Sequence, residues 1–189
     1  MIIMLRGTSG SGKSYIAFRV MDALGDPDDY INFGPRNRRG GYIWNDHLTL
    51  IGRYETACGG CDGFSWPGCA GEIEALVQLH ALSTPHVLLE GLMVSSWGGD
   101  RLRRLGPDLT VIHLSTFLED CLAAVNARRA ARSAALGKDL GPVNPFNTTK
   151  KYEGLLTASA KHRREGIRVE TLDRTAALAR TFELLGIAA

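Results

Sequence analysis

Residues 7–14 constrain this chain more tightly than any other stretch. They read Gly7-Thr8-Ser9-Gly10-Ser11-Gly12-Lys13-Ser14, a complete G-x-x-x-x-G-K-[ST] pattern. An apolar run over residues 1–5 precedes it. Residues 13–24 follow, with Ile16, Ala17, Val20, Ala23 and Leu24 on one helical face. Strand, glycine-rich turn and helix N-terminus in that order make a cradle of backbone N–H groups for phosphate oxygens, backed by the positive end of the helix dipole. Gly7, Thr8, Ser9, Gly10, Ser11 and Gly12 form the cradle. Lys13 is placed to hold the β- and γ-phosphates, and the Ser14 hydroxyl to sit on Mg²⁺. The pattern announces a nucleoside triphosphate without choosing between kinase, switch and motor.

The rest of the chain alternates short apolar runs with amphipathic stretches, which predicts an α/β fold. Strands are expected over residues 1–5, 30–33, 87–90, 110–114 and 169–172, and a hairpin from 42–45 and 48–53. Helices are expected over 13–24, 72–82, 118–136, 149–165 and 176–185. Residues 36–41 read as an Arg- and Gly-rich turn, 56–71 as a loop, 98–105 as a loop or short helix, and 137–147 as flexible. A chain of 189 residues, 44% hydrophobic and 22% charged, suits one packed domain spanning 1–189. No apolar run is long enough to span a bilayer, and residues 1–5 are too short for a signal-peptide core. A cytoplasmic protein without a membrane partner is therefore expected. The net charge of +2 demands no polyanion, although 17 of the 22 cations are Arg, the side chain suited to bidentate phosphate contacts.

Glu90 closes a core strand in His86-Val87-Leu88-Leu89-Glu90-Gly91. Below a phosphate cradle, that position points at the Mg²⁺ shell, directly or through water. Asn126, Arg128, Arg129 and Arg132 lie late in the long helix, just before the flexible stretch. A basic helix end feeding a mobile loop suggests a lid over about 128–148. In it, Arg128 and Arg132 would steady the transferring phosphoryl group and Arg129 the nucleotide. The alternative is a solvated basic face favoured by the helix dipole.

Residues 52–69 run Gly-Arg-Tyr-Glu-Thr-Ala-Cys-Gly-Gly-Cys-Asp-Gly-Phe-Ser-Trp-Pro-Gly-Cys. A glycine-rich connection this long in a compact domain is often functional. It belongs to an insertion over about 36–71 on the acceptor side. It offers Asp62 as a general base, Arg53 as an anion or base-edge contact, and Tyr54, Phe64 and Trp66 as stacking surfaces, or as staples of the loop. Cys58, Cys61 and Cys69 raise a zinc reading, with His47 or His80 as a fourth ligand. No second C-x-x-C pair completes it, and packing thiols are the preferred reading.

The strand-Glu-Gly element and the basic pre-lid helix resemble small P-loop kinases, nucleoside monophosphate (NMP) kinases among them. Signalling GTPases carry Asn-Lys-x-Asp, absent here, and motor ATPases usually end the second acidic strand in Asp. Several features together resemble phage P-loop kinases, and within them the 5-hydroxymethyluracil DNA kinases. These are the P-loop, Gly52-Arg53-Tyr54 with Cys58-Gly59-Gly60-Cys61-Asp62, Leu89-Glu90-Gly91 with Ser95-Ser96, and Cys121 followed by Asn126-x-Arg128-Arg129. The resemblance spans residues 1–172. It implies a P-loop NTPase fold with an NMP-kinase-like parallel sheet of about five strands, helices on both faces, an added antiparallel hairpin and a basic lid. It also implies ATP with Mg²⁺, a DNA acceptor whose modified base is flipped out, and a catalytic or acceptor-binding role for Asp62. An Asp directly after the second strand, common as base in hydroxyl kinases, is missing. The base stays open between Asp62 and Asp46.

The leading expectation is thus a kinase acting on the base hydroxymethyl group in phage DNA, with Arg36, Arg38, Arg39, Arg101, Arg103 and Arg104 as candidates to grip the backbone. A kinase of a free nucleoside, nucleotide or other metabolite fits the same motifs. A nucleotide-dependent switch without acceptor chemistry fits them less well.

Overall fold

The computed structural model describes residues 1–56 and 59–188. Strands are β1 (Ile2–Arg6), β2 (Asp29–Phe33), β3 (Arg38–Trp44), β4 (Leu48–Ile51), β5 (His86–Glu90), β6 (Leu109–Leu114) and β7 (Val169–Leu172). Helices are α1 (Lys13–Leu24), α2 (Cys69–His80), α3 (Leu92–Ser95), α4 (Gly99–Arg104), α5 (Leu118–Leu136), α6 (Pro145–Arg164) and α7 (Arg174–Leu185). One seven-stranded sheet runs β2-β3-β4-β5-β1-β6-β7. From β4 to β7 every neighbouring pair is parallel. That block has the expected five parallel strands in number but not in membership: β4, expected in the appended hairpin, is one of them, and residues 30–33, expected among them, lie in β2, antiparallel at the edge.

Alternation along β1 sets the layers. Ile2 and Met4 point to one face, where they meet Ile73 and Val77 of α2, Val94 of α3 and Leu102 of α4. Ile3 and Leu5 point to the other, where they meet Ile16, Ala17 and Val20 of α1 and Ala177, Phe182 and Leu185 of α7. A central strand buried on both faces reads as a continuous apolar run, as residues 2–5 do. All parallel strands end on the same edge as β1, so the P-loop, Glu90 and the loops after β6 and β7 gather there.

The antiparallel part is larger than the expected hairpin. β3 pairs with both β2 and β4, making a three-stranded meander, and residues 38–41 are strand rather than turn. A Cβ at Gly40 would meet the Phe33 ring, and one at Gly41 the Ile31 side chain. The two glycines therefore mark close approach of β2 side chains over β3, a role of strand glycines that resembles a turn signal. Helix starts also come earlier than expected. Asn144 caps α6 by accepting from Phe146 N–H at 3.0 Å, with Pro145 in the first turn. Asp173 caps α7 by accepting from Ala176 N–H at 2.8 Å.

A polar seam joins β1 and β6 to α6. Arg6 is fully buried, and its guanidinium meets His162 Nδ1 at 2.6 Å and donates to the Trp97 carbonyl at 3.1 Å. His113 Nδ1 lies 2.5 Å from the Ser159 hydroxyl. No carboxylate pairs with Arg6 among the described residues, so a neutral His162 must supply the acceptor. Among the described residues no helix is long and apolar enough to cross a membrane.

Candidate active site

The cradle forms where the sequence places it. Gly10 takes φ 85°, and a Cβ there would overlap the Cys121 carbonyl in the first turn of α5. Only glycine satisfies both the left-handed backbone and the contact. The Ser95 hydroxyl accepts from Gly7 N–H at 3.3 Å and donates to the Gly91 carbonyl at 2.6 Å, tying the cradle to the end of β5. Lys13 lies inside it, donating to the carbonyls of Gly7 at 2.8 Å and Thr8 at 3.0 Å. Burial lowers its pKa, against the attraction of Glu90 and Asp62. An anion in the cradle would restore the charge that burial opposes.

Ser14 Oγ donates to Glu90 Oε1 at 2.8 Å. Burial pushes the Glu90 carboxyl up to about 7, with Lys13 and Ser14 pulling the other way. Beside it lies the buried Tyr54, whose hydroxyl also pulls the Glu90 carboxyl down. A serine hydroxyl and a desolvated carboxylate at a phosphate cradle suit a hard divalent cation. Among the described residues no cluster of three or more His, Cys, Asp or Glu could hold one alone. Mg²⁺ accepts such sparse protein ligation because phosphate and water oxygens complete its shell.

The Gly59–Asp62 segment rides directly on the end of β5. Gly60 takes φ 90°, and any Cβ would overlap the Glu90 carboxylate. Arg53 and Gly60 exchange backbone hydrogen bonds of 3.1 and 2.8 Å, which hold the segment down. A single 3₁₀ turn, Cys61–Gly63, then presents Asp62. Asp62 is anchored by Met93 N–H, which donates to Oδ1 at 3.0 Å.

Asp62 borders two cavities. The first, about 270 Å³, is the phosphate site, lined by the cradle, Lys13, Ser14, Gly59, Glu90, Arg128 and Arg174. The second, about 750 Å³, lies between α3 and α6, with Leu92, Met93, Leu155 and Ala158 as apolar walls and Ser95, Ser96 and Lys151 as polar ones. Its size and mixed lining suit a small organic group. A third hollow of about 480 Å³ flanks Gly10 on the outer side, between exposed Phe117 and Arg174.

The remaining sequence candidates divide. Arg128 reaches the phosphate cavity. Arg129 does not. It donates to the carbonyls of Leu140 and, at 2.8 Å, Gly141, and so ties down the loop after α5. Arg132 is exposed and lines no cavity described above. Asp46 is excluded by topology. It sits in the turn before β4, and β4 runs parallel to β5, so Asp46 is at the opposite edge of the sheet from Glu90. Tyr54 and Phe64 are buried, at 6% and 4% exposure, and offer no stacking face. Tyr54 packs edge-on against Phe18 and Tyr42, and Phe64 against Phe33 and Trp66. Arg53 donates to the carbonyls of Arg39 and Gly63, both at 3.2 Å, which makes it a brace of the loop. Trp66 is half-buried and donates to Glu72 at 2.8 Å.

Cys58 lies outside the described residues. Cys61 and Cys69 are buried free thiols, their Sγ atoms 3.6 Å from the Ile51 carbonyl and 3.7 Å from Met93 Sδ, as packing groups would be. Arg174, Phe117 and Lys151 were missed by motif reading. The first two follow the C-terminal ends of parallel strands, which is the available signal for both.

No family model matches the chain. It is 36% identical over 192 residues to a 5-hmdU DNA kinase of Pseudomonas phage PaMx11, covering 97% of this chain and 96% of that protein. Among solved structures, a gluconokinase from Sinorhizobium meliloti 1021 aligns with TM-score 0.46 at 16% identity, over 97% of this chain and 94% of that one. Deoxyadenosine kinase from M. mycoides aligns with TM-score 0.46 at 13% identity, over 98% and 97%. At 36% identity over nearly the full length of both proteins, the chain belongs to the 5-hmdU DNA kinase family.

Proposed function

We propose that the protein transfers the γ-phosphoryl group of ATP to the hydroxymethyl oxygen of 5-hydroxymethyluracil in DNA, a step of thymine hypermodification. The observation that carries this reading is Asp62, one carboxylate bordering both the phosphate cavity and the larger cavity between α3 and α6. Membership of the 5-hmdU DNA kinase family supplies the acceptor.

In this reading the cradle and Lys13 grip the triphosphate, and the modified base enters the second cavity. Asp62 accepts the hydroxymethyl proton as that oxygen forms its bond to the γ-phosphorus. The bond from the γ-phosphorus to the bridging oxygen breaks, and ADP leaves. Arg128 and Arg174, both lining the phosphate cavity, offset the charge on the moving group. Ser14 and Glu90 would hold Mg²⁺, which when bound neutralises the phosphates and aligns them for in-line transfer. The end of α5 and the loop tied by Arg129 act as the lid. The hollow beside Phe117 and Arg174 takes the nucleobase of ATP. A base inside a duplex cannot reach the second cavity, so it is flipped out.

The test uses γ-labelled ATP, Mg²⁺ and four acceptors. These are DNA containing 5-hydroxymethyluracil, the same DNA with thymine, free 5-hydroxymethyl-deoxyuridine monophosphate, and dTMP. Label recovered on the base of the hydroxymethylated DNA supports the reading. Label confined to free nucleotides overturns the polymer acceptor.

A further inference from the structure

The six arginines that sequence reading offers for gripping DNA are not alike. Arg101 and Arg104 are paired with Glu74 at 2.9 and 2.6 Å, and Arg103 with Asp100 and Glu165 at 2.5 and 3.4 Å. Each already faces a carboxylate of the protein at its surface. Arg39 lies 3.8 Å over the Tyr30 ring. Arg36 lies in the turn between β2 and β3, and Arg38, beyond Asn37, opens β3. Both are exposed, and among the described residues neither meets a carboxylate.

Both open onto a cavity of about 330 Å³ bounded also by Arg53, Gly63, Ser65, Phe33 and Trp66. Among the described residues no acidic side chain lines it. Arg53 is fixed at its wall by the two carbonyls it serves, and lies 5.8 Å from the Phe64 ring. Three guanidinium groups around an aromatic wall make a site for a phosphodiester with a base beside it. Its position relates it to the acceptor site. The same 3₁₀ turn puts Asp62 toward the reacting groups and Gly63 toward the arginines, and adjacent Cα atoms are only about 3.8 Å apart.

We infer that this cavity binds the DNA backbone beside the flipped nucleotide, with Arg36 and Arg38 as its phosphate contacts. The inference rests on the DNA acceptor proposed above. It makes the β2–β3–β4 meander the strand-gripping part of the molecule and leaves the α4 arginines out of DNA binding.

The test compares the full chain with its R36A/R38A variant on a single-stranded oligonucleotide containing one 5-hydroxymethyluracil. Affinity is read by fluorescence anisotropy across salt, and transfer by labelled ATP. Losing two phosphate contacts should flatten the slope of log affinity against log salt by about 1.4. KM for DNA should rise roughly tenfold. The kcat at saturating DNA and the KM for ATP should stay within about twofold. The R36K/R38K variant keeps the charges and should recover most of the salt slope. If the double variant does not fold, R36A and R38A singly should each give about half the change in slope. Wild-type labelling of DNA with an unchanged slope and KM in the variants would overturn the subsite alone. Failure of the wild-type protein to label DNA would overturn the DNA acceptor, and the subsite with it.

Discussion

At position 60 a side chain of any size would meet the Glu90 carboxylate. Gly60→Ala should therefore displace either Glu90 or Asp62, and a misplacement of about 1 Å can cost roughly 10²-fold in kcat/KM. Gly68 is the matched control, with φ 84° and open space where a Cβ would go. Gly68→Ala should retain transfer within a few-fold, because it adds backbone strain without a clash. Steady-state transfer rates of the two variants check this. Equal loss in both would show that the glycines matter only for φ. At this scale the sequence was most legible where chemistry and backbone coincide, as in Gly7–Ser14 and Glu90. It was least legible where types repeat. Asp46 and Asp62 are both acids in connections between elements, and strand direction separates them. Tyr54 and Phe64 look like stacking surfaces in a glycine-rich loop until packing against Tyr42 and Phe33 buries them.

Among the elements, the loop between α5 and α6 is tied down by side chains of α5, Arg129 foremost. Arg129 holds the carbonyls of Leu140 and Gly141, while Ser133 Oγ accepts from Leu140 N–H at 3.0 Å and Asn126 Oδ1 from Val143 N–H at 2.8 Å. Arg129→Ala removes two charge-assisted bonds. It should raise amide hydrogen exchange over residues 138–144 by about tenfold or more. Arg132→Ala should leave it unchanged. Matching exchange in both variants would contradict this tethering. The long elements were readable because α1 carries one apolar face, α5 is a long Ala- and Arg-rich stretch without Gly or Pro, and β1 is a continuous apolar run. The meander was not, since Gly40 and Gly41 signal a turn locally while tertiary contact from Phe33 and Ile31 makes them strand. The ends of α6 and α7 were legible in Asn144-Pro145 and Asp173, signals that periodicity alone passes over.

For the molecule as a whole, the seam between the sheet and α6 ties stability to pH. Burial first, then the neighbouring Arg6, lowers the His113 pKa from 6.5 to about 4. His162 moves the same way for the same reasons. A histidine held neutral by folding takes up its proton more readily when unfolded. Its contribution is intact above about pH 6.5 and is lost as pH falls toward 4, for His113 by roughly 3 kcal/mol. Glu90 runs oppositely, because its raised pKa removes stability as pH rises toward 7. The difference between proteins is therefore the test. Between pH 7.5 and 5 the wild-type Tm should fall further than that of His113→Gln. Parallel profiles would contradict a buried neutral His113. The central claim concerns the same whole-molecule placement, two cavities joined at one carboxylate. Single-turnover transfer of labelled phosphate to hydroxymethylated DNA, compared for wild type, Asp62→Asn and Asp46→Asn, tests it most directly. The account predicts a fall of about 10²–10⁴-fold for Asp62→Asn, unchanged ATP affinity, and wild-type rates for Asp46→Asn. Wild-type transfer by Asp62→Asn would contradict it.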